Sequence, residues 1–145
     1  MEIFSTIITG VIVYVLGQFT LKIIIEPIQE LKKEIQQTLA DCSYYAGLAT
    51  NMPDINEEKA LEARKIFRQR STYIRSKYKI IPFMDTFAVF GIIPVEKSLS
   101  EASSMLMGLS NTISSSGNFK ENMQNNEWLK EIENLLAPKS EGLSK

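Results

Sequence analysis

Residues 3–25, IFSTIITGVIVYVLGQFTLKIII, decide how the rest of the chain is read. From Ile3 to Leu21 no side chain is charged, and the apolar character resumes after Lys22 with Ile23, Ile24 and Ile25. As a helix rising 1.5 Å per residue, the stretch is about 30 Å long, the thickness of a bilayer's hydrocarbon. The core helix of a soluble protein would carry charges along one face. A cleaved export signal would open on a basic region and close on a small-residue site, whereas here Met1 and Glu2 precede the run and KIIIEP ends it. The run therefore reads as a transmembrane helix over residues 1–26. Glu2 lies before it and Lys22, Lys32 and Lys33 after it, so the positive-inside rule places the C-terminal part in the cytoplasm.

So apolar a segment has no need of hydroxyls and glycines, yet it has both. Thr6, Thr9, Gly10, Val13, Gly17 and Thr20 recur at spacings that put all six on one helical face. Helices in lipid gain nothing by hiding apolar surface from one another. They associate through small residues that let backbones approach and through hydroxyls that bond across. A chain with one span meets that need only with another chain, so the stripe predicts a homo-oligomer. The alternative is that the hydroxyls bond their own helix's carbonyls and the glycines carry no role. Gln18 lies off the stripe, and an amide in a single span favours a protein or water-lined surface over lipid. With Gln18 and the threonines turned to a shared axis, an oligomer encloses a polar pore.

Composition excludes more than it suggests. The 145 residues carry 16 Lys and Arg against 17 Asp and Glu, a formal charge of −1, so no whole-chain field draws the protein to nucleic acid or anionic lipid. With no histidine and one cysteine, Cys42, there is no Ser-His or Cys-His nucleophile, no histidine-zinc site and no internal disulfide. Cys42 reads as a small buried residue. No cofactor, no metal and no small-molecule substrate are expected, and the chain is read as a non-enzyme.

Pro27 removes a backbone donor and should end or kink the span. Beyond it, residues 27–138 read as one helical bundle and 139–145 as a tail. Ile28, Leu31, Ile35, Leu39, Cys42, Ala46 and Ala49 mark an amphipathic helix over 28–49, closed by the turn TNMPDIN with Asp54 or Asn56 as N-cap. A helix over 56–79 turns Ala60, Ala63, Phe67, Ile74 and Tyr78 inward and holds half of the 16 basic residues. Arg64, Arg68, Arg75 and Lys79 share one face of it, fit to hold RNA phosphates, nucleotides or anionic lipid. Acids first and bases last also suit the helix dipole, and the solvated-face reading leads, because charge runs are usually only solvated.

In PFMDTFAVFG, Pro82 opens a short helix, Phe83, Phe87 and Phe90 form a core stripe, and Gly91 ends it. A helix over 96–115 buries Leu99, Ala102, Leu106, Leu109 and Ile113 before fraying into SSSGN. Asn125 or Asn126 caps a last helix bearing Trp128, Ile132, Leu135 and Leu136, which Pro138 helps to stop. The expected class is all-α.

The segments IIIEPIQELKKEI, YYAGLATNMP, IIPFMDTFAVFGIIP and EASSMLMGLSNTISS resemble small bacterial membrane-anchored helical proteins. The layout, one N-terminal span and a cytoplasmic HEPN-like bundle, is similar to that of the small accessory membrane proteins of type VI-B CRISPR systems. The resemblance implies location in the bacterial inner membrane, oligomeric pores in antiviral defence, and engagement by RNA or a CRISPR effector complex. RNA-cutting HEPN domains carry an Arg-x4–6-His motif. In SNTISS, Ser110-Asn111 stands where such a motif has Arg-Asn and Ser115 where it has histidine, so the resemblance implies fold and pore without ribonuclease chemistry. Two functions follow as expectations: an oligomeric membrane effector of antiviral defence, or a membrane-tethered adaptor that recruits a cytoplasmic partner without a pore.

Overall fold

The computed structural model describes residues 2–50, 57–113 and 119–137, and of these 90% are helical and none lies in a strand. The helices are α1 (Glu2–Thr20), α2 (Glu26–Thr50), α3 (Glu57–Lys79), α4 (Met84–Val89), α5 (Glu96–Thr112) and α6 (Phe119–Leu136). The caps expected at Asp54 or Asn56, the SSSGN stretch, Ser115, Pro138 and the tail lie outside the described residues.

Pro27 does not end the apolar helix. Between α1 and α2 the chain stays helical through a π-turn, Leu21–Ile25, in which the Glu26 N–H donates to the Leu21 carbonyl, five residues back instead of four. The wider turn sits directly before the proline, whose ring removes a donor and crowds the carbonyl one turn back. Loosening the ladder there lets the rod continue. The apolar helix and the first bundle helix are thus one object.

Four helices close into a ring in which α2 packs on α3, α3 on α5, α5 on α6 and α6 back on α2. Neighbours are antiparallel. Lys77 of α3 pairs with Glu30 near the start of α2, while Tyr45 far along α2 meets Phe67 edge-on at 5.9 Å between ring centroids. Across α3 and α5, Arg64 reaches Ser110 and Ser71 reaches Ser103. This is an up-and-down four-helix bundle, the arrangement that short connections between amphipathic helices favour. One end of it receives α1 and holds the end of α3, all of α4, the start of α5 and the end of α6. The inward residues expected on α3 and α5 are all buried, with Phe67, Leu99, Leu106 and Leu109 fully enclosed.

Two expectations fail. Phe83, Phe87 and Phe90 do not form a core stripe: Phe83 is 75% and Phe90 74% exposed, and Phe87 alone packs against the core. The reason is helix length. Phe83 precedes α4 in the left-handed region (φ 54°) and Phe90 follows its last turn, so the helical register never reaches either residue, and Met84 goes inward instead. Gly91 does end the helix: at φ 68° its N–H bonds to the Ala88 carbonyl and the Ile92 N–H to the Phe87 carbonyl, both at 3.0 Å, the pair of bonds of a Schellman cap.

Neither Asn125 nor Asn126 caps α6, which starts at Phe119. Asn125 lies fully buried mid-helix and accepts a 2.5 Å bond from the Thr112 hydroxyl of α5. Its side chain has found a partner across the bundle, so it needs no helix end.

Candidate functional site

Two candidate surfaces come from the sequence, and the structure treats them differently. The apolar helix is long and apolar enough to cross a membrane, and its described side chains are exposed throughout α1. Thr6, Thr9, Gly10, Val13, Gly17 and Thr20 share one face of it, with Gln18 about a third of a turn away. Thr9 donates to the Ser5 carbonyl and Thr20 to the Leu16 carbonyl, both at 2.9 Å, and Thr6 is not without a partner. The donors of Thr9 and Thr20 are thus spent on their own ladder, leaving lone pairs for a neighbour. Apart from the chain neighbours and the helix's own backbone, no atom lies within 4 Å of where a Cβ on Gly10 or Gly17 would stand, so the grooves over both glycines are open.

The basic face of α3 divides along the bundle axis. Arg64 Nε donates to the Ser110 carbonyl at 3.1 Å and Arg68 Nη2 to Asn111 Oδ1 at 3.2 Å. Both arginines therefore serve the last turn of α5, where unpaired carbonyls and the negative end of the helix dipole favour a cation. Arg75 and Lys79 sit toward the α1 end, exposed and without a hydrogen bond or ion pair to any described residue. The four side chains do not converge on one anion site.

Sequence reasoning passed over Arg70, which lies on the opposite flank of α3. Its Nε donates to Asp41 Oδ2 at 2.6 Å, and its Nη1 to Glu34 Oε1 at 2.8 Å and Gln37 Oε1 at 3.0 Å. The guanidinium is 21% exposed, and its partners Glu34 and Asp41 are 11% and 23% exposed. Burial alone would lower the Arg70 pKa, but the bonds to Glu34 and Asp41 outweigh it and raise it above the ordinary value. The signal was legible in principle: Glu34, Gln37 and Asp41 fall at i, i+3 and i+7, a polar stripe beside the apolar one on α2.

A buried hydroxyl pair joins α3 to α5. Ser71 Oγ donates to the Ser103 carbonyl at 2.7 Å and Ser103 Oγ to the Ser71 carbonyl at 2.8 Å, so the two helices meet backbone to backbone through small side chains. Gly108 admits the Trp128 ring of α6, which lies 2.7 Å from where a Cβ would be.

Chemically reactive groups are not gathered anywhere in the described residues. Cys42 is 7% exposed, and its thiol pKa is pushed up to about 12, first by burial and then by Asp41 and Glu133. Among the described residues no set of metal-ligating side chains comes together. A cleft of about 400 Å³ between α2, the α4–α5 connection and the end of α6 is lined by Ile35, Ile93, Val95 and Leu136, with Lys32 its sole ionisable residue. Comparison with known proteins finds no matching family model, no matching curated protein and no matching solved structure.

Proposed function

We propose that this chain is a non-enzymatic, membrane-anchored protein that self-assembles through the Thr6, Thr9, Gly10, Val13, Gly17 and Thr20 face of α1 and acts as an oligomeric effector at the membrane. The single observation behind this reading is the open groove over Gly10 and Gly17 on a helix whose described side chains no other described residue covers. Lipid tails fill such a groove poorly, whereas a second helix can bring its backbone close there. The bundle is read as cytoplasmic, from Lys22, Lys32 and Lys33 beyond the span. The HEPN-like resemblance extends the proposal to antiviral defence, with Gln18 and the threonines bordering a pore.

Helical continuity favours an effector over a tethered adaptor. An adaptor needs only a slack link to its anchor, whereas here α2 is the extension of α1 through the π-turn, so a partner that turns the bundle also turns the span. The absence of histidine and the burial of Cys42 support the non-catalytic part. Electron microscopy of the detergent-solubilised protein tests assembly: a ring of subunits supports the proposal, and a monomer leaves only the adaptor. Cross-linking in membranes tests the face. Gly10→Leu with Gly17→Leu should reduce the oligomer, and equal cross-linking of parent and variant would assign assembly to another surface.

A further inference from the structure

We propose that the segment from Ile80 to Val95 is a second membrane contact, seated in the headgroup layer beside the point where α1 leaves the bilayer. The inference rests on the reading of α1 as a span and concerns a surface that the span does not contain. Its basis is apolar area that the bundle leaves uncovered: Ile80 is 58% exposed, Phe83 75%, Val89 83%, Phe90 74%, Ile92 38% and Val95 50%. Elsewhere among the described bundle residues, the large exposed hydrophobics are the scattered Tyr44, Leu61, Tyr73 and Met123. Single exposed apolar side chains need no explanation, but six within one connection do.

Height decides what covers them. Lys77 pairs with Glu30, and α3 runs antiparallel to α2, so three residues on, at about 1.5 Å each, Ile80 stands level with the Pro27 turn, directly below the last isoleucines of the apolar run. The chain then stays at this end. Phe83 turns in the left-handed region, α4 lasts 6 residues, and the Schellman cap at Gly91 reverses the chain before α5 sets off the other way. A bilayer's polar layer extends roughly 5–7 Å beyond its hydrocarbon, and interfacial segments bury their apolar faces about 5–10 Å into that boundary. With α1 spanning, the patch falls within the layer that accepts it. Charges of both signs lie at this end, Lys22, Lys32, Lys33, Arg75, Lys77, Lys79 and Lys97 with Glu26, Glu30, Asp85 and Glu96, but within residues 80–95 Asp85 is the only charged side chain, so the contact made by this segment is apolar and should form without anionic lipid.

Depth-dependent fluorescence quenching tests this on the full chain. A bimane probe is placed singly through Phe83→Cys, Tyr44→Cys or Val15→Cys, the last on the face of α1 opposite the Thr6–Thr20 stripe, the buried Cys42 remaining unlabelled, in phosphatidylcholine vesicles with lipids carrying a nitroxide either at the top or in the middle of the acyl chain. Tyr44 is 78% exposed and lies toward the opposite end of the bundle, so it reports the aqueous level. The expected result is quenching at Phe83 by the shallow nitroxide several-fold above that at Tyr44, with Val15 quenched by the deep one, and the same pattern after one lipid in four is made anionic. Phe90→Cys repeats the test from the other side of α4. Quenching at Val15 with Phe83 and Phe90 both at the Tyr44 level would overturn the contact while leaving the span intact. Loss of quenching at Val15 as well would overturn the span and the contact with it. Shielding of Phe83 from lipid, together with cross-linking of the Phe83→Cys variant to itself, would assign the patch to a second copy of the chain and overturn the lipid contact.

Discussion

Thr38, Thr72 and Ser104 of the bundle bond back into their own helices and Gly47 stands as open as the glycines of α1, but other small and hydroxyl-bearing residues of the bundle meet a second helix, and none described in α1 does. In the bundle, Ser71 and Ser103 bond each other's backbones, Thr112 donates across to Asn125, and Gly108 is occupied by the Trp128 ring. In α1, Thr9 and Thr20 bond backward into their own helix, and Gly10 and Gly17 face empty space. Residue type is the same and only the neighbourhood differs. A hydroxyl or a glycine groove becomes a helix contact only when a second helix lies against it. The bundle supplies those helices from its own sequence. Among the described residues α1 has none, and its unused face is what makes self-association the economical reading.

The contrast between Gly108 and the span glycines breaks most visibly under bulk. Gly108→Leu drives a side chain into Trp128, and overpacking of this kind should destabilise the bundle by about 3 kcal/mol. Denaturant unfolding in detergent, followed through Trp128 as the sole tryptophan, reads this directly. Gly10→Leu with Gly17→Leu should leave the same curve unmoved. A common loss in both variants would mean that the span packs on the bundle and would erase the comparison.

Arg70→Ala tests how far the bundle depends on its cross-helix polar bonds. It strands Glu34, 8% exposed, and Asp41 beside apolar surroundings, for an expected loss of about 2–3 kcal/mol by the same measurement. A loss within about 0.5 kcal/mol would show that water replaces the guanidinium without difficulty.

A smaller effect sharpens the hydroxyl comparison. Ser103→Ala removes one of two reciprocal bonds while Ser71 keeps the Ser103 carbonyl, which should cost about 1 kcal/mol, whereas Thr9→Ala should stay within about 0.5 kcal/mol. Equal effects at both sites would deny the difference in use.

The smallest change is expected on the basic face. Arg68→Glu with Arg75→Glu removes one exposed bond to Asn111 and should move stability by no more than about 0.5 kcal/mol. Salt-sensitive RNA binding by the parent, lost in this variant, would reinstate the phosphate-binding reading.

By itself the sequence determined the elements and their inner faces. The uncharged run from Ile3 to Leu21, the three-four spacing of Leu31, Ile35, Leu39 and Cys42, and the stripe from Ala60 to Tyr78 are periodic signals, and periodicity is a local property that survives without knowledge of neighbours. The terminating role of Gly91 was legible for the same reason, since a left-handed cap is a preference of one residue. The short helix was misread because a stripe over Phe83, Phe87 and Phe90 assumes a helix longer than Met84–Val89, and length is fixed by what the ends pack against. Only tertiary structure decided which polar side chains meet. It sent Asn125 to Thr112, Arg64 and Arg68 to the end of α5, and Arg70 to Glu34 and Asp41, because each pairing joins residues at least 13 positions apart that share no local pattern. It also brought the exposed connection after α3 level with the end of the apolar helix, a matter of antiparallel packing on which no stretch of sequence carries a mark.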